Sequence, residues 1–321
     1  MEAGNWTYAM MFYKKLLNLE YFMATYRKPL VSLINGLVMG AGAGLSINTK
    51  FRIVTEKTVF AMPEASIGFF PDVGASYFLS RLPGYFGEYI GLTGAQLDGA
   101  EMVACGLATH FVPSVKLNTL ENVLQTVTSS NVPITEVIET FSEKANVKEN
   151  SSFRSSRFET SYNRQLTNSE FSRKKRLETI NKCFSKGTVE EIIICLEKES
   201  ENGEEVWIKN ALRSMRSSCP LSLKIFLKSI RMGRVQNFEQ CLNREYTIAA
   251  HIVKRTVGND FYEGSRAKLF DKDNKPKWEP SKLELVSEEM VDQCFRDIDD
   301  DGFEFLELPA DRSNSRIASR L

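Results

Sequence analysis

The apolar positions change their period several times along this chain, and each change marks an element. From Tyr8 to Met23 large apolar side chains recur at helical spacing. Lys28-Pro29 closes that helix, because a residue before proline is pushed out of the helical region. "LVSLI" (Leu30 to Ile34) follows as a short apolar strand bounded by an Asn35-Gly36 turn. "VMGAGAGLS", residues 38 to 46, then offers little beyond methyl groups and hydrogens where a helix would begin. "FRIVTE" from Phe51 and "TVFAMPE" from Thr58 read as a second strand pair. Gly84 to Val112 returns to a helical pattern, whereas Asn146 to Lys175 is rich in serine, asparagine and charge and predicts a loop. Thr188 and Glu191 have capping-box spacing ahead of "IIICL", and helical periodicity continues to about Val257. The pattern predicts an α/β core over residues 1–115 and a mostly helical region over 116–321, with a polar loop near 146–175.

Charge and cysteine usage narrow the partners. With 41 basic and 41 acidic residues, the chain exerts no long-range attraction on nucleic acid or an anionic membrane. The basic run "SRKKR" (Ser172 to Arg176) reads as a solvated helix face. The six cysteines are scattered without a C-x-x-C pair, and only two histidines stand beside them, so neither a zinc site nor a disulfide framework is expected. The compartment should be reducing. No apolar run reaches the ~18 residues needed for a membrane span.

Candidate chemistry begins at the small-residue turn. A helix entered directly from a strand leaves its first N–H groups unpaired and presents the positive end of its dipole. With Gly40, Ala41 and Gly42 there, a substrate carbonyl can approach to hydrogen-bonding distance and have its developing charge stabilised. The same small residues equally permit close packing of a helix on a sheet. Downstream, in "FAMPEASIGFFPDVGASYFLSRLPG", Glu64 follows Pro63 and Asp72 follows Pro71, two carboxylates on rigid turns among apolar neighbours. Such surroundings raise a carboxyl pKa and suit acid, base or nucleophilic work. The plainer alternative makes Glu64 a helix cap and Asp72 the close of a turn before Gly74.

"INGLVMGAGAGLS", the block just quoted, "LTGAQLDGAEMVACGLATHFV" and "DFYEGSRAKLFDKDNKPKWEP" resemble, in that order, landmarks of the 3-hydroxyisobutyryl-CoA hydrolases, members of the crotonase (enoyl-CoA hydratase/isomerase) superfamily. With "FEQCLNREYTIA" the resemblance runs from about Phe12 to Asp300. It implies an α/β crotonase-like spiral of ββα units, incomplete at the N-terminus, then a helical region that covers the active site and takes part in subunit contact, hence a homo-oligomer. It further implies that the N–H of Ala41, between Gly40 and Gly42, holds the thioester oxygen. Glu64 would be nucleophile or general base at the acyl carbon, and Asp72 would bind the substrate hydroxyl or assist proton transfer. No cofactor is implied, since coenzyme A arrives as part of the acyl-CoA substrate. The implied reaction is hydrolysis of 3-hydroxyisobutyryl-CoA in valine breakdown, and the alternative is a catalytically silent relative or incomplete isoform with a binding or assembly role.

Departures from the family pattern sharpen these expectations. Enoyl-CoA hydratases carry a second glutamate where this chain has Gly44, which favours hydrolysis over hydration. No "CAGGD"-like turn precedes Trp6, so the chain reads as N-terminally truncated and short of the second oxyanion donor. Leu16 stands where the family's first helix usually carries a glutamate. Ala41 replaces a usual glycine, a change its N–H survives if the backbone there is helical. Finally, Ser319-Arg320-Leu321 has the small-basic-leucine pattern of a peroxisomal address, which predicts peroxisomal import through its receptor, with the mitochondrion as the alternative location.

Overall fold

Helix α1 (Trp6–Ala24) buries Met10, Leu17, Glu20, Tyr21 and Ala24, positions whose spacing places them on one face. The computed structural model to which it belongs describes residues 6–127, 133–145, 168–201, 205–300 and 302–309. After the Lys28-Pro29 turn come β1 (Val31–Ile34), β2 (Leu37–Met39), α2 (Ala41–Ile47), β3 (Phe51–Val54) and β4 (Val59–Ala61). A 3-10 turn at Glu64–Ile67 leads to the short helix α3 (Ala75–Phe78). The predicted helical stretch from Gly84 to Val112 is divided: α4 (Phe86–Thr93), β5 (Leu97–Asp98), α5 (Gly99–Cys105) and β6 (His110–Phe111) share it. Gly94 and Gly106, both left-handed, stop the two helices.

Successive strands enter alternate sheets. One sheet has the order β1-β3-β6, all parallel; the other has the order β2-β4-β5, with β5 antiparallel. "FRIVTE" and "TVFAMPE" are therefore adjacent in sequence but are not a pair: Phe51 lies opposite Val31, and Val59 lies opposite Leu37. The turn between them explains the switch. Thr58 Oγ1 donates to the Ile34 carbonyl at 2.6 Å and accepts the Thr55 N–H at 2.8 Å, which carries the chain from one sheet to the other.

The rest of the described chain is helical: α6 (Leu117–Val127), α7 (Ile134–Phe141), α8 (Asn168–Phe184), α9 (Val189–Glu201), α10 (Val206–Ser217), α11 (Pro220–Gly233), α12 (Phe238–Lys254), α13 (Asp260–Ser265) and α14 (Glu288–Gln293). The Thr188–Glu191 capping box forms in both directions, at 3.1 and 3.2 Å, and opens α9. The expected polar loop is corrected at its end, where α8 begins at Asn168; its Glu, Lys, Arg and Leu residues favour helix, while residues 146–167 lie outside the described ones. Alternation along β3 sends Phe51 and Ile53 into a small core with Val112, Leu120 and Ile138, and Val54 into the main core with Leu17, Phe60, Phe78, Phe226 and Tyr246. Helix α12 lies along α1, and α11 crosses α3 and α4. All six cysteines are free and buried. Among the described residues no helix is long and apolar enough to cross a membrane.

Candidate active site

Gly40 turns β2 into α2 with φ 50° and ψ −129°, backbone space that a Cβ closes to other residues. Ala41 opens α2, its φ is not positive, and it stands exposed with Gly42. Its N–H has no acceptor within the helix. An alanine side chain is therefore accommodated at this position.

The carboxylate of Glu64 lies against this turn. A Cβ built on Gly40 would sit 3.6 Å from Glu64 Oε1. Glu64 opens the 3-10 turn and is buried, and its Oε2 has no hydrogen-bond partner among the described residues. Burial and the Asp72 charge push its pKa well above the ordinary value of 4.5, against the pull of the Glu64 and Gly40 N–H groups. The small-residue turn and the Pro63-Glu64 motif, 24 residues apart (40 to 64), thus meet at one place.

Asp72 is the second acid there. Its Oδ2 accepts from the Tyr13 hydroxyl at 2.6 Å. Burial raises its pKa to about 7, with Tyr13 pulling it down and the Glu245 charge pushing it up. The next residue, Val73, has φ 54°, a rare and strained conformation for a β-branched side chain. Glu245 of α12 holds that strain in place: its carboxylate accepts the N–H of Gly74 at 2.7 Å and of Ser76 at 3.0 Å, fixing the entry to α3.

Leu16 proves to be half-buried against the main core, and the acid that α1 sends inward is Glu20, one turn further on. A Cβ on Gly44 would overlap the Glu20 carboxyl and crowd Val73, so Gly44 makes room for that acid. Neither Glu20 oxygen has a hydrogen-bond partner among the described residues. Tyr13, Glu20 and Glu245 escaped sequence reasoning. The readable signal was a charged residue on the apolar stripe of α1, which for Glu20 means burial with no lysine or arginine at its own helical neighbours 16, 17, 23 and 24.

The block from Asp260 to Pro280 packs beneath Glu64. A Cβ on Gly68 would overlap the Asp260 backbone. Asp260 accepts from the Cys219 thiol at 3.0 Å and from the Glu279 N–H at 2.9 Å, while the Cys219 N–H donates to Ala65 at 3.0 Å. The turn that carries Glu64 is held from α11 and α13 together.

Alternating sheets, a glycine turn facing a buried carboxylate and a second carboxylate beside it define a crotonase-type protein. Comparison with known proteins agrees. A family model described as enoyl-CoA hydratase/isomerase matches residues 1–295. A probable 3-hydroxyisobutyryl-CoA hydrolase of Arabidopsis thaliana is 50% identical over 93% of this chain and 74% of its own length. A mitochondrial 3-hydroxyisobutyryl-CoA hydrolase of Danio rerio is 37% identical over 93% of this chain and 72% of its own. The small ribosomal subunit protein mS47 of Arabidopsis thaliana is 41% identical over 96% and 71%. Among solved structures, a carnitinyl-CoA dehydratase from Mycobacterium thermoresistibile superposes with a TM-score of 0.76 at 28% identity, covering 96% of this chain and 78% of that one. The chain belongs to the enoyl-CoA hydratase/isomerase family, in its 3-hydroxyisobutyryl-CoA hydrolase branch.

Proposed function

We propose that this chain hydrolyses the thioester of 3-hydroxyisobutyryl-CoA, a step of valine breakdown, at the site formed by Ala41, Glu64 and Asp72. The observation that carries the proposal is the free Oε2 of Glu64 beside the α2 entry: one oxygen lies against Gly40 and the other is left to react. The thioester oxygen accepts the Ala41 N–H, between Gly40 and Gly42, and the charge that develops on it is stabilised there. Glu64 either attacks the acyl carbon, expelling the coenzyme A thiolate and forming an anhydride that water then hydrolyses, or takes a proton from the water that attacks that carbon and expels the thiolate directly. Asp72, raised to about 7, exchanges the proton that the departing thiolate needs. No cofactor takes part. The test is release of free thiol from 3-hydroxyisobutyryl-CoA by the purified chain; single turnover in heavy-oxygen water then separates the two roles of Glu64, since only a nucleophile takes the label into its carboxylate.

A binding or assembly role without catalysis is the second reading, and the similarity to a ribosomal subunit protein favours it. The retained Glu64 and Asp72 favour hydrolysis, because a purely structural role gains nothing from burying the unpaired Oε2 of Glu64.

For location we propose the peroxisome, reached through Ser319-Arg320-Leu321, which lies outside the described residues. Relatives named mitochondrial supply the alternative. A fluorescent protein extended by the last ten or so residues should become punctate with a peroxisomal marker. A diffuse signal, unchanged on deleting Leu321, contradicts the assignment.

A further inference from the structure

Glu20 is fully buried, yet among the described residues neither of its oxygens has a hydrogen-bond partner. Leaving an acid in that condition costs stability, and an aliphatic side chain of similar size would cost none. The carboxyl, carried by α1, lies against Gly44 of α2, which has no side chain in its way, and a Cβ there would also meet Val73 in the loop after Asp72. Among the described residues, the charged or titratable groups that face it are Asp72, Glu245 and Tyr13. All are acidic or phenolic, so none neutralises it. All three are already engaged, Tyr13 and Asp72 with each other and Glu245 with Gly74 and Ser76. Burial, followed by the charges of Asp72 and Glu245, raises the Glu20 pKa to about 9, so at neutral pH it is a carboxylic acid with one O–H to donate.

We propose that Glu20 is a specificity-determining residue of the acyl site, and that its missing hydrogen-bond partner is the 3-hydroxyl of the bound acyl group. The assignment rests on the acyl-CoA reading above. Glu20 reaches the site from α1 at Gly44, one turn along α2 from the Gly40–Ala41 entry where the thioester oxygen is held. A substituent two carbons from that carbonyl is within the span of such a turn. Asp72, whose Oδ2 is already taken by Tyr13, is then left to proton transfer.

The test uses Glu64→Gln protein, in which the thioester persists, and calorimetric binding of 3-hydroxyisobutyryl-CoA against isobutyryl-CoA. The hydroxylated ligand should bind about tenfold more tightly, the weight of one hydrogen bond. Adding Glu20→Met should abolish that preference, leave isobutyryl-CoA binding unchanged and raise Tm, because an unpaired buried acid is removed. Glu20→Gln, which keeps an N–H donor, should retain part of the preference. A Glu20→Met protein that keeps the preference, loses both ligands equally, or is less stable or unfolded overturns the assignment. Binding of neither ligand by the Glu64→Gln protein overturns it as well. If the unmutated chain releases no thiol but the preference follows Glu20, the hydrolase reading fails and the Glu20 assignment stands.

Discussion

Four buried acids share one neighbourhood and differ in how they are satisfied. Glu245 is held by two backbone N–H groups, Asp72 by a phenol, Glu64 on one oxygen only, and Glu20 on neither. The two best-satisfied acids set the shape of the loop, and the two least satisfied retain capacity for a ligand. Tyr13 is the adjustable element. Its hydrogen bond favours the charged form of Asp72, so Tyr13→Phe removes a downward pull and should move the limb of the pH–rate profile near 7 to higher pH. A profile that stays in place would detach Asp72 from the titration. The sequence identified Glu64 and Asp72 because proline and glycine fix their turns locally. It did not yield Tyr13 or Glu20, whose burial depends on how α1 lies against α2 and α12.

At the scale of elements, the 3-10 turn Glu64–Ile67 is too short to hold its own geometry and borrows it from outside. Asp260 is the pin: it accepts from Cys219, whose N–H in turn meets Ala65. Asp260→Ala should cost about 1–3 kcal/mol of stability in urea denaturation, because the buried Cys219 thiol and the part-buried Glu279 N–H lose their acceptor. It should also lower kcat, as Glu64 loses its fixed position. Lost activity at unchanged stability would instead put Asp260 in direct contact with substrate. Helix α1, the strands and the Thr188–Glu191 box were legible from periodicity and capping, which act over a few residues. Sheet membership was not, because the pairing of Val31 with Phe51 and of Leu37 with Val59 is decided by the Thr55–Thr58 turn reaching back to Ile34.

For the whole molecule, the α/β strands build the reactive face and the later helices lock it, with Glu245 of α12 on the Asp72 loop and α11 and α13 on the Glu64 turn. The resemblance read from "VMGAGAGLS", "AMPE" and "PDVG" conveyed that plan, and the comparisons bear out the family. What it left out was the division of labour among the buried acids, a property of three-dimensional neighbours that no motif spells. The decisive measurement is thiol release from 3-hydroxyisobutyryl-CoA by the unmutated chain and by Glu64→Gln at matched Tm. Turnover by the former, and its loss by at least about 10²-fold in the latter, is the predicted result. Equal rates in the two proteins, with both folded, would contradict the central role given to Glu64.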